Sequence, residues 1–144
     1  MIRIGEYKDV DQGVKLLEQH RMEFDFGQFK EDNTEYYKGL MEAIAKDKTA
    51  IISENDGVID GVLLGMKIPN LLNPQITQLH VLLTWVNPNK RGSSIFYRMN
   101  KMLEKEIKNH KEVKDIIFYS IPKTNINFNK LNYKEFQLMY KKEV

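Results

Sequence analysis

Cysteine is absent from this chain of 144 residues, which has three histidines, one tryptophan and four prolines. Without cysteine the chain has no disulfide bond, no thiolate ligand for a metal and no cysteine nucleophile. This composition fits a reducing compartment, so we expect a cytoplasmic protein. The histidines His20, His80 and His110 are widely separated in the sequence, and we predict no metal site from them.

Long apolar segments are missing as well. No run in the sequence is long enough to span a bilayer. The first residues, MIRIGEYKDVDQ, lack the apolar core that follows a basic stretch in a signal peptide. We therefore expect no membrane contact.

The length predicts a single domain over residues 1–144, large enough to bury a core of its own.

A strong charge of one sign is a third absence. The formal net charge is +2 and comes from intermixed lysine, glutamate and aspartate, whereas a nucleic-acid-binding protein more often has a basic stripe. Lys101, Lys105, Lys108 and Lys111 recur at helical spacing, and we interpret them as a solvated helix face rather than a phosphate-binding surface. We expect no nucleic-acid partner.

Hydrophobic periodicity predicts strands and helices that alternate along one α/β unit, which some schemes would class as α+β. The predicted strands cover residues 1–6, 49–53, 58–68, 76–86, 113–119 and 136–140. The predicted helices cover residues 9–17, 34–44, 93–110 and 125–131. The turn Asn55-Asp56-Gly57 predicts a hairpin between the second and third strands.

The segment 20–33, HRMEFDFGQFKEDN, breaks the helical period but contains three phenylalanines among its charged residues. Phe24, Phe26 and Phe29 are unusual in a simple connector. They either line a pocket for an acceptor substrate or anchor a long loop on the core, and the sequence leaves both interpretations open.

The segment TWVNPNKRGSSIFYRM joins a strand directly to a helix. Pro88 blocks continuation of the strand, and Arg91 to Ser94 lead into the helix. Such a junction concentrates free backbone N–H groups, and the helix dipole adds about half a positive charge there, so phosphate oxygens are favoured ligands. Lys90 adds a positive charge on a flexible side chain, and Arg91 adds a planar guanidinium group that can donate two parallel hydrogen bonds. Neither the GxxxxGK[ST] nor the GxGxxG spacing of other phosphate-binding loops is present.

This segment resembles the signature of the GNAT (general control N-acetyltransferase) superfamily. In that signature the fourth strand ends in a Val-Asp-Pro-like turn, and Arg/Gln-x-x-Gly-x-Gly/Ala begins the next helix. Here Val86-Asn87-Pro88 precedes Arg91-Gly92-Ser93-Ser94-Ile95-Phe96. The resemblance covers the order of elements over nearly the whole chain. Small phage and bacterial members of the superfamily often have a similar variant of the motif, in which Arg-Gly is followed by serine. Two positions depart from the signature. Ser94 replaces the first glycine of the Gly-x-Gly/Ala pattern, and Phe96 replaces its final Gly/Ala. Gly92, two residues before Ser94, gives the loop some of the backbone freedom that the missing glycine would provide.

The resemblance implies a mixed, largely antiparallel sheet of about six or seven strands flanked by about four helices, with acetyl-CoA as cofactor. By the same resemblance, the edge of the fourth strand near Trp85 and Val86 holds the pantetheine arm, although a single tryptophan in a central strand is more often a core residue than a cofactor contact. Asn125 either bonds the pantetheine or caps a short helix. The diphosphate is expected on the backbone amides of Arg91, Gly92, Ser93, Ser94, Ile95 and Phe96.

The function that the resemblance implies is N-acetylation of a primary amine, on a small molecule or a protein, by direct attack on the thioester. His80 takes the place of the family's base and is expected on the same strand face as Leu82, Thr84 and Val86; it is otherwise a histidine hydrogen-bonded in the sheet.

The family's acid, a tyrosine in the last short helix, is replaced by Phe128, which has no proton to donate. Tyr119 is a possible substitute for that acid. The alternative function is a non-catalytic GNAT-like module that binds CoA or a protein, and the chain is expected to be a monomer or a homodimer.

Overall fold

The structure, a computed structural model, describes residues 1–23, 34–119, 126–136 and 142. Its strands are β1 (Ile2–Ile4), β2 (Ala50–Asn55), β3 (Val58–Pro69), β4 (Thr77–Val86) and β5 (Val113–Phe118). Its α-helices are α1 (Val10–Glu23), α2 (Thr34–Asp47) and α3 (Ile95–Ile107). Short 3-10 helices cover Tyr7–Asp9, Pro88–Lys90 and Phe128–Leu131.

The five strands form one sheet in the order β1-β2-β3-β4-β5. All neighbouring strands are antiparallel except β4 and β5, which are parallel and are connected through α3. The hairpin between β2 and β3 turns at Asp56 and Gly57, whose φ angles are 50° and 76°. Two consecutive positive φ angles are the geometry of a type I′ turn, which matches the twist of the flanking strands. The predicted hairpin is therefore confirmed.

Helices cover both faces of the sheet, which explains why its central strands are apolar on both sides. On one face α1 and α2 pack over Ile52, Val62 and Leu64. On the other face α3 packs Met99 and Leu103, both fully buried, against the sheet. None of the helices in the described part of the chain is long and apolar enough to cross a bilayer.

A β-bulge interrupts the pairing of β4 with β3. Leu64 pairs with Leu83, whereas the next residue, Gly65, pairs with Val81, so Leu82 has no partner in β3. A single extra residue exchanges the two faces of a strand. Val81 accordingly packs in the cluster with α3, and Leu83 packs in the cluster with α1 and α2.

The predicted mixed, largely antiparallel sheet is confirmed, but the number of elements differs. The described residues form five strands and three α-helices, against about six or seven and about four predicted. The expected last helix is a single 3-10 turn, because the Asn127 side chain accepts from Lys130 N at 3.2 Å and Asn132 ends the turn at φ 63°. The expected last strand, residues 136–140, lies outside the described residues except for Phe136.

Candidate functional site

The parallel pair β4 and β5 separates halfway along β4. Pairing runs from Thr77 with Val113 to Val81 with Phe118. Residues 82–86 of β4 continue beyond that point, and no strand pairs with this edge in the described part of the chain. An unpaired strand edge offers alternating N–H and C=O groups to an extended ligand that has amides of its own. We call this opening the β4–β5 fork.

The loop after β4 carries the chain from the fork to α3 within eight residues. Asn87 Oδ1 accepts from Asn89 N at 3.0 Å, which closes the 3-10 turn that Pro88 begins. Arg91 then returns to extended backbone and donates from Nε to the Val86 carbonyl at 3.0 Å. Gly92 has a φ of 86°, where a side chain is disfavoured. The loop therefore folds back to the end of β4.

The first turn of α3 presents unpaired backbone N–H groups. Ser94 occupies the N-cap position, but its side chain makes no capping hydrogen bond. Ser93 Oγ accepts only a long bond from Ile95 N, at 3.4 Å. Among the described residues, the amides of Ser94, Phe96 and Tyr97 have no hydrogen-bond acceptor. An anion at this end would satisfy them and would interact favourably with the helix dipole.

The six residues expected to hold a diphosphate therefore lie together in one continuous turn. Residues 91–94 are exposed, whereas the side chains of Ile95 and Phe96 are buried in the core. These two residues could therefore contact a ligand only through their backbone. The replacement of a small residue by Phe96 is accommodated because its ring points away from the amides, into a cluster with Phe118 and Phe128.

Lys90 does not have the mobile charge that the sequence suggested. Its Nζ lies 2.6 Å from Asp60 Oδ2 on β3. Burial alone would raise the pKa of Asp60, but the hydrogen bond and charge of Lys90 hold that pKa below its usual value. The ammonium group is thereby committed to fastening the loop, and the loop's second cation, Arg91, donates to the Val86 carbonyl.

His80 lies beside the fork but on the other face from the one expected. Its partner in β3 is Met66, which shares the α1 and α2 face with Leu64, whereas Val86 packs on the α3 side. The bulge at Leu82 accounts for this difference, since the prediction assumed strict alternation through Leu82, Thr84 and Val86. The prediction of a shared face is therefore wrong.

His80 forms a short hydrogen bond with Tyr119, 2.6 Å from Nδ1 to the phenol oxygen. The two rings lie 5.7 Å apart between centroids and are tilted by 30°. Partial burial lowers the pKa of His80 below the value of a free imidazole. The imidazole is therefore neutral over a wider pH range than in water, as a proton acceptor requires.

Phe128 lies in an aromatic cluster beneath the fork. Its ring contacts those of Phe96, Phe118 and Tyr133, with centroid separations of 5.9, 5.3 and 6.0 Å. Tyr133 donates its hydroxyl to Asn100 Oδ1 at 3.0 Å and Glu104 Oε1 at 3.1 Å on α3. The cluster fixes the segment after residue 126 onto α3.

The other predicted site residues lie either in the core or outside the described residues. The Trp85 side chain is only 6% exposed and packs in the core with α1 and α2, so only its backbone is available at the fork. Asn125 and most of the phenylalanine-rich segment, residues 24–33, lie outside the described residues. Within the described part of the chain, no three or more histidine, aspartate or glutamate side chains are grouped to hold a metal ion.

The structure assigns partners to Asp60 and Tyr119 that the sequence analysis did not predict, Lys90 and His80. A sequence signal existed for Asp60, a carboxylate inside the apolar run VIDGVLL, because a charge in a buried strand needs a partner. No such signal pairs Tyr119 with His80, which is 39 residues away. Their contact depends on the parallel register of β4 and β5.

Comparison with known proteins identifies the fold. No family model matches the sequence, and no curated protein matches it. Among solved structures, a predicted acetyltransferase from Clostridium acetobutylicum, determined with acetyl-CoA, superposes with a TM-score of 0.79 at 14% identity, over 99% of this chain and 95% of that chain.

Two further structures have the same architecture. Glucosamine-6-phosphate N-acetyltransferase from Arabidopsis thaliana gives a TM-score of 0.69 at 17% identity, over 99% of this chain and 97% of that one. An aminoglycoside acetyltransferase from an uncultured soil metagenomic sample, in complex with sisomicin, gives 0.71 at 9% identity, over 100% and 95%. The chain therefore has the fold of the GNAT acetyltransferases.

Proposed function

We propose that this protein is a cytoplasmic N-acetyltransferase that transfers the acetyl group of acetyl-CoA to a primary amine. The observation that supports this function best is that two surfaces with available backbone groups lie next to each other, although the Val86 carbonyl already accepts from Arg91 Nε. The open edge of β4 at residues 82–86 leads through one short loop to the unpaired amides that begin α3. One ligand with an amide-bearing arm and a diphosphate would satisfy both surfaces. The fold shared with acetyltransferases supports the same ligand.

Acetyl-CoA matches these surfaces in order. The amides from Arg91 to Phe96 would hold its diphosphate, and Arg91 would add a charge. The backbone of Trp85 and Val86 would hydrogen-bond the pantetheine arm. The thioester end then falls toward Leu82, where the bulge leaves backbone polar groups outside the ladder. Acetyl-CoA supplies the activated acetyl group.

The acceptor amine must lose a proton when its nitrogen forms the new amide bond, so a base is required. His80 is proposed for this role because its Nε2 has no hydrogen-bond partner among the described residues and its ring is half buried beside the fork. The acceptor itself is proposed as a primary amine on a small molecule or a protein. The names of two structural neighbours suggest aminosugars as the first acceptors to test.

The first experiment measures binding of acetyl-CoA by thermal unfolding. At a ligand concentration of about 100 times Kd we expect stabilisation of about 2.7 kcal/mol, a rise in Tm of roughly 5–10 °C. Arg91→Glu places a negative charge in the loop and should abolish most of the rise. Lys101→Glu makes the same charge change on the exposed surface of α3 and should retain it. The absence of a rise in the unmodified protein would refute the proposal.

The second candidate function is a non-catalytic CoA-binding or protein-interaction module. The observation in its favour is Phe128, which replaces the expected acid and is packed among aromatic rings. Release of free thiol from acetyl-CoA should be measured with aminoglycosides, aminosugar phosphates and lysine peptides. Binding of CoA without acetylation of any amine would favour the module. Amine-dependent thiol release would favour the enzyme.

A further inference from the structure

The position of Tyr119 has a consequence for the proposed acetyl transfer. Tyr119 directly follows Phe118, which forms the last β4–β5 pair with Val81. It therefore lies where the two strands separate. If the diphosphate binds at α3 and the arm runs back along residues 86–82, the sulfur end of the arm reaches this same point. No other described hydroxyl forms a hydrogen bond with His80.

Two residues of the aromatic cluster near the fork are unsuitable as this proton donor. Phe128 has no ionisable proton. Tyr133 is committed to Asn100 and Glu104 on α3, and burial, together with the charge of Glu104, raises its pKa. Tyr119, in contrast, is 44% exposed and accessible to a ligand in the fork.

We propose that Tyr119 is the catalytic acid that protonates the departing thiolate of CoA, and that His80 returns a proton to Tyr119 across their hydrogen bond. This inference rests on the proposed acetyl transfer. It assigns the acid to the end of β5 instead of the short helix that contains Phe128. The base and the acid then form one hydrogen-bonded pair rather than two separate groups.

The proton transfers balance within the pair. Initially Nδ1–H of His80 donates to the Tyr119 oxygen, the Tyr119 hydroxyl points toward the sulfur, and Nε2 carries a lone pair. The nitrogen of a neutral amine forms a bond to the acetyl carbon, and the bond from that carbon to sulfur breaks. One amine proton passes to Nε2, the Tyr119 proton passes to sulfur, and the Nδ1 proton passes to the Tyr119 oxygen. The products are an amide and CoA thiol, and exchange of the imidazole with water restores the first tautomer.

The surroundings of His80 favour this sequence of transfers. Its neighbours across β3 and β5 are Met66 and Ile117, which carry no charge. The carboxylate of Asp115, two residues along β5, accepts from Gln78 Nε2 at 3.3 Å. Burial lowers the pKa of His80, so the imidazolium formed on Nε2 readily gives up its Nδ1 proton.

Kinetics of Tyr119→Phe provide the main test, because this change removes only the hydroxyl. With the best amine from the panel, we expect kcat to fall by about 100-fold or more, with little change in KM for acetyl-CoA. His80→Ala should cost a similar factor, and the double variant should be only slightly slower than either single variant, since the two groups act as a unit. Tyr36→Phe, at an exposed site on α2, is the matched control.

A second measurement follows His80 by NMR of ¹⁵N-labelled histidine and needs no acceptor. We expect a strong hydrogen-bond shift at Nδ1 in the unmodified protein, which disappears in Tyr119→Phe, while the signals of His110 stay unchanged. Signals of His80 that are identical in the two proteins would refute the hydrogen-bonded pair.

The outcomes separate this inference from the proposed function. If the unmodified protein acetylates an amine and Tyr119→Phe keeps kcat within about threefold, acetyl transfer holds and the role of Tyr119 is refuted. If the unmodified protein acetylates nothing, the proposed function fails and the inference fails with it. Equal thermal stabilisation of both proteins by CoA confirms that Tyr119→Phe still folds and binds.

Discussion

Asp60 anchors the first half of the loop that joins β4 to α3, at Asn87 and at Lys90. Its backbone oxygen accepts from Asn87 N at 2.9 Å where β4 ends, and its Oδ2 lies 2.6 Å from Lys90 Nζ two residues before Gly92. The Asp60 side chain is only 8% exposed, whereas that of Lys90 is 38% exposed. A buried carboxylate on β3 thus positions the loop proposed to bind the diphosphate.

Replacement of Asp60 by asparagine should destabilise the protein by about 1–3 kcal/mol, because the ion pair is lost and a neutral amide oxygen is a weaker acceptor for the Lys90 ammonium. Since the pKa of Asp60 is lowered in the folded state, its contribution is present above about pH 4 and is lost as pH falls through the folded pKa. Urea unfolding of both proteins from about pH 7 to about pH 3 should show the difference shrinking toward acid pH.

The matched control for that series is Asp56→Asn, an identical chemical change at the exposed turn of the same hairpin. It should alter the free energy of unfolding by less than about 0.5 kcal/mol. Asp60→Asn should also weaken the binding of acetyl-CoA, because the loop loses one anchor. A destabilisation that is equal at neutral and acid pH would contradict the ion-pair explanation.

Gly61 allows α3 to approach the sheet closely. A Cβ at this position would lie 2.8 Å from Ile95 Cγ2 and 3.1 Å from Met99 Cε. We expect Gly61→Ala to cost about 1–3 kcal/mol and to weaken acetyl-CoA binding, since α3 must move outward with its first turn. Chemical denaturation and calorimetric titration measure the two effects.

The comparison for Gly61→Ala is Gly39→Ala on α2. A Cβ there has no heavy atom within 4 Å, and alanine favours helix, so stability should rise by about 0.5–1 kcal/mol. If both substitutions changed stability in the same direction, the close packing of α3 on Gly61 would not be the cause.

Gly92 is required for its backbone conformation rather than for space. Its φ is 86°, and a Cβ would meet nothing within 4 Å. Gly92→Ala should therefore cost about 1–2 kcal/mol in conformational strain, whereas Gly92→Asn should cost less because asparagine tolerates positive φ. Affinity for acetyl-CoA, measured by titration, should decrease in the same order. Equal affinity in all three proteins would mean that this conformation is not needed for binding.

Tyr133 fastens the segment after residue 126 to α3. Tyr133→Phe leaves Asn100, which is 1% exposed, without one hydrogen-bond donor, and we expect a loss of about 1–2 kcal/mol. Because burial raises the pKa of Tyr133 in the folded state, this contribution is present below about pH 10 and decreases as pH rises further. Unfolding of both proteins at about pH 8 and pH 11 tests this sign, with the exposed Tyr36→Phe as control.

Local sequence features predicted most elements of the described fold. The Asp56-Gly57 turn, the β-rich run that ends at Val86 and the apolar stripe of α3 all depend on neighbouring residues, so short-range patterns are sufficient. The last helix was overestimated because its helical pattern covered too few residues to extend beyond one turn.

The candidate site was predicted less completely than the fold. The turn from Arg91 to Phe96 was found because a strand, a breaking proline and a helix start are adjacent in sequence. The face of His80 was predicted wrongly, since nothing local indicates that Leu82 forms a bulge. The bulge depends on how β3 and β4 pair along their whole length.

The sequence by itself thus determined the strand-loop-helix segment and the absence of cysteine chemistry, because these properties reside in adjacent residues or in composition. Only the tertiary structure decided that Lys90 binds Asp60, that β4 and β5 separate after Val81 and that Tyr119 meets His80. Each of these contacts joins residues at least 30 positions apart. Strand pairing and helix packing bring such residues together, and no local pattern specifies them.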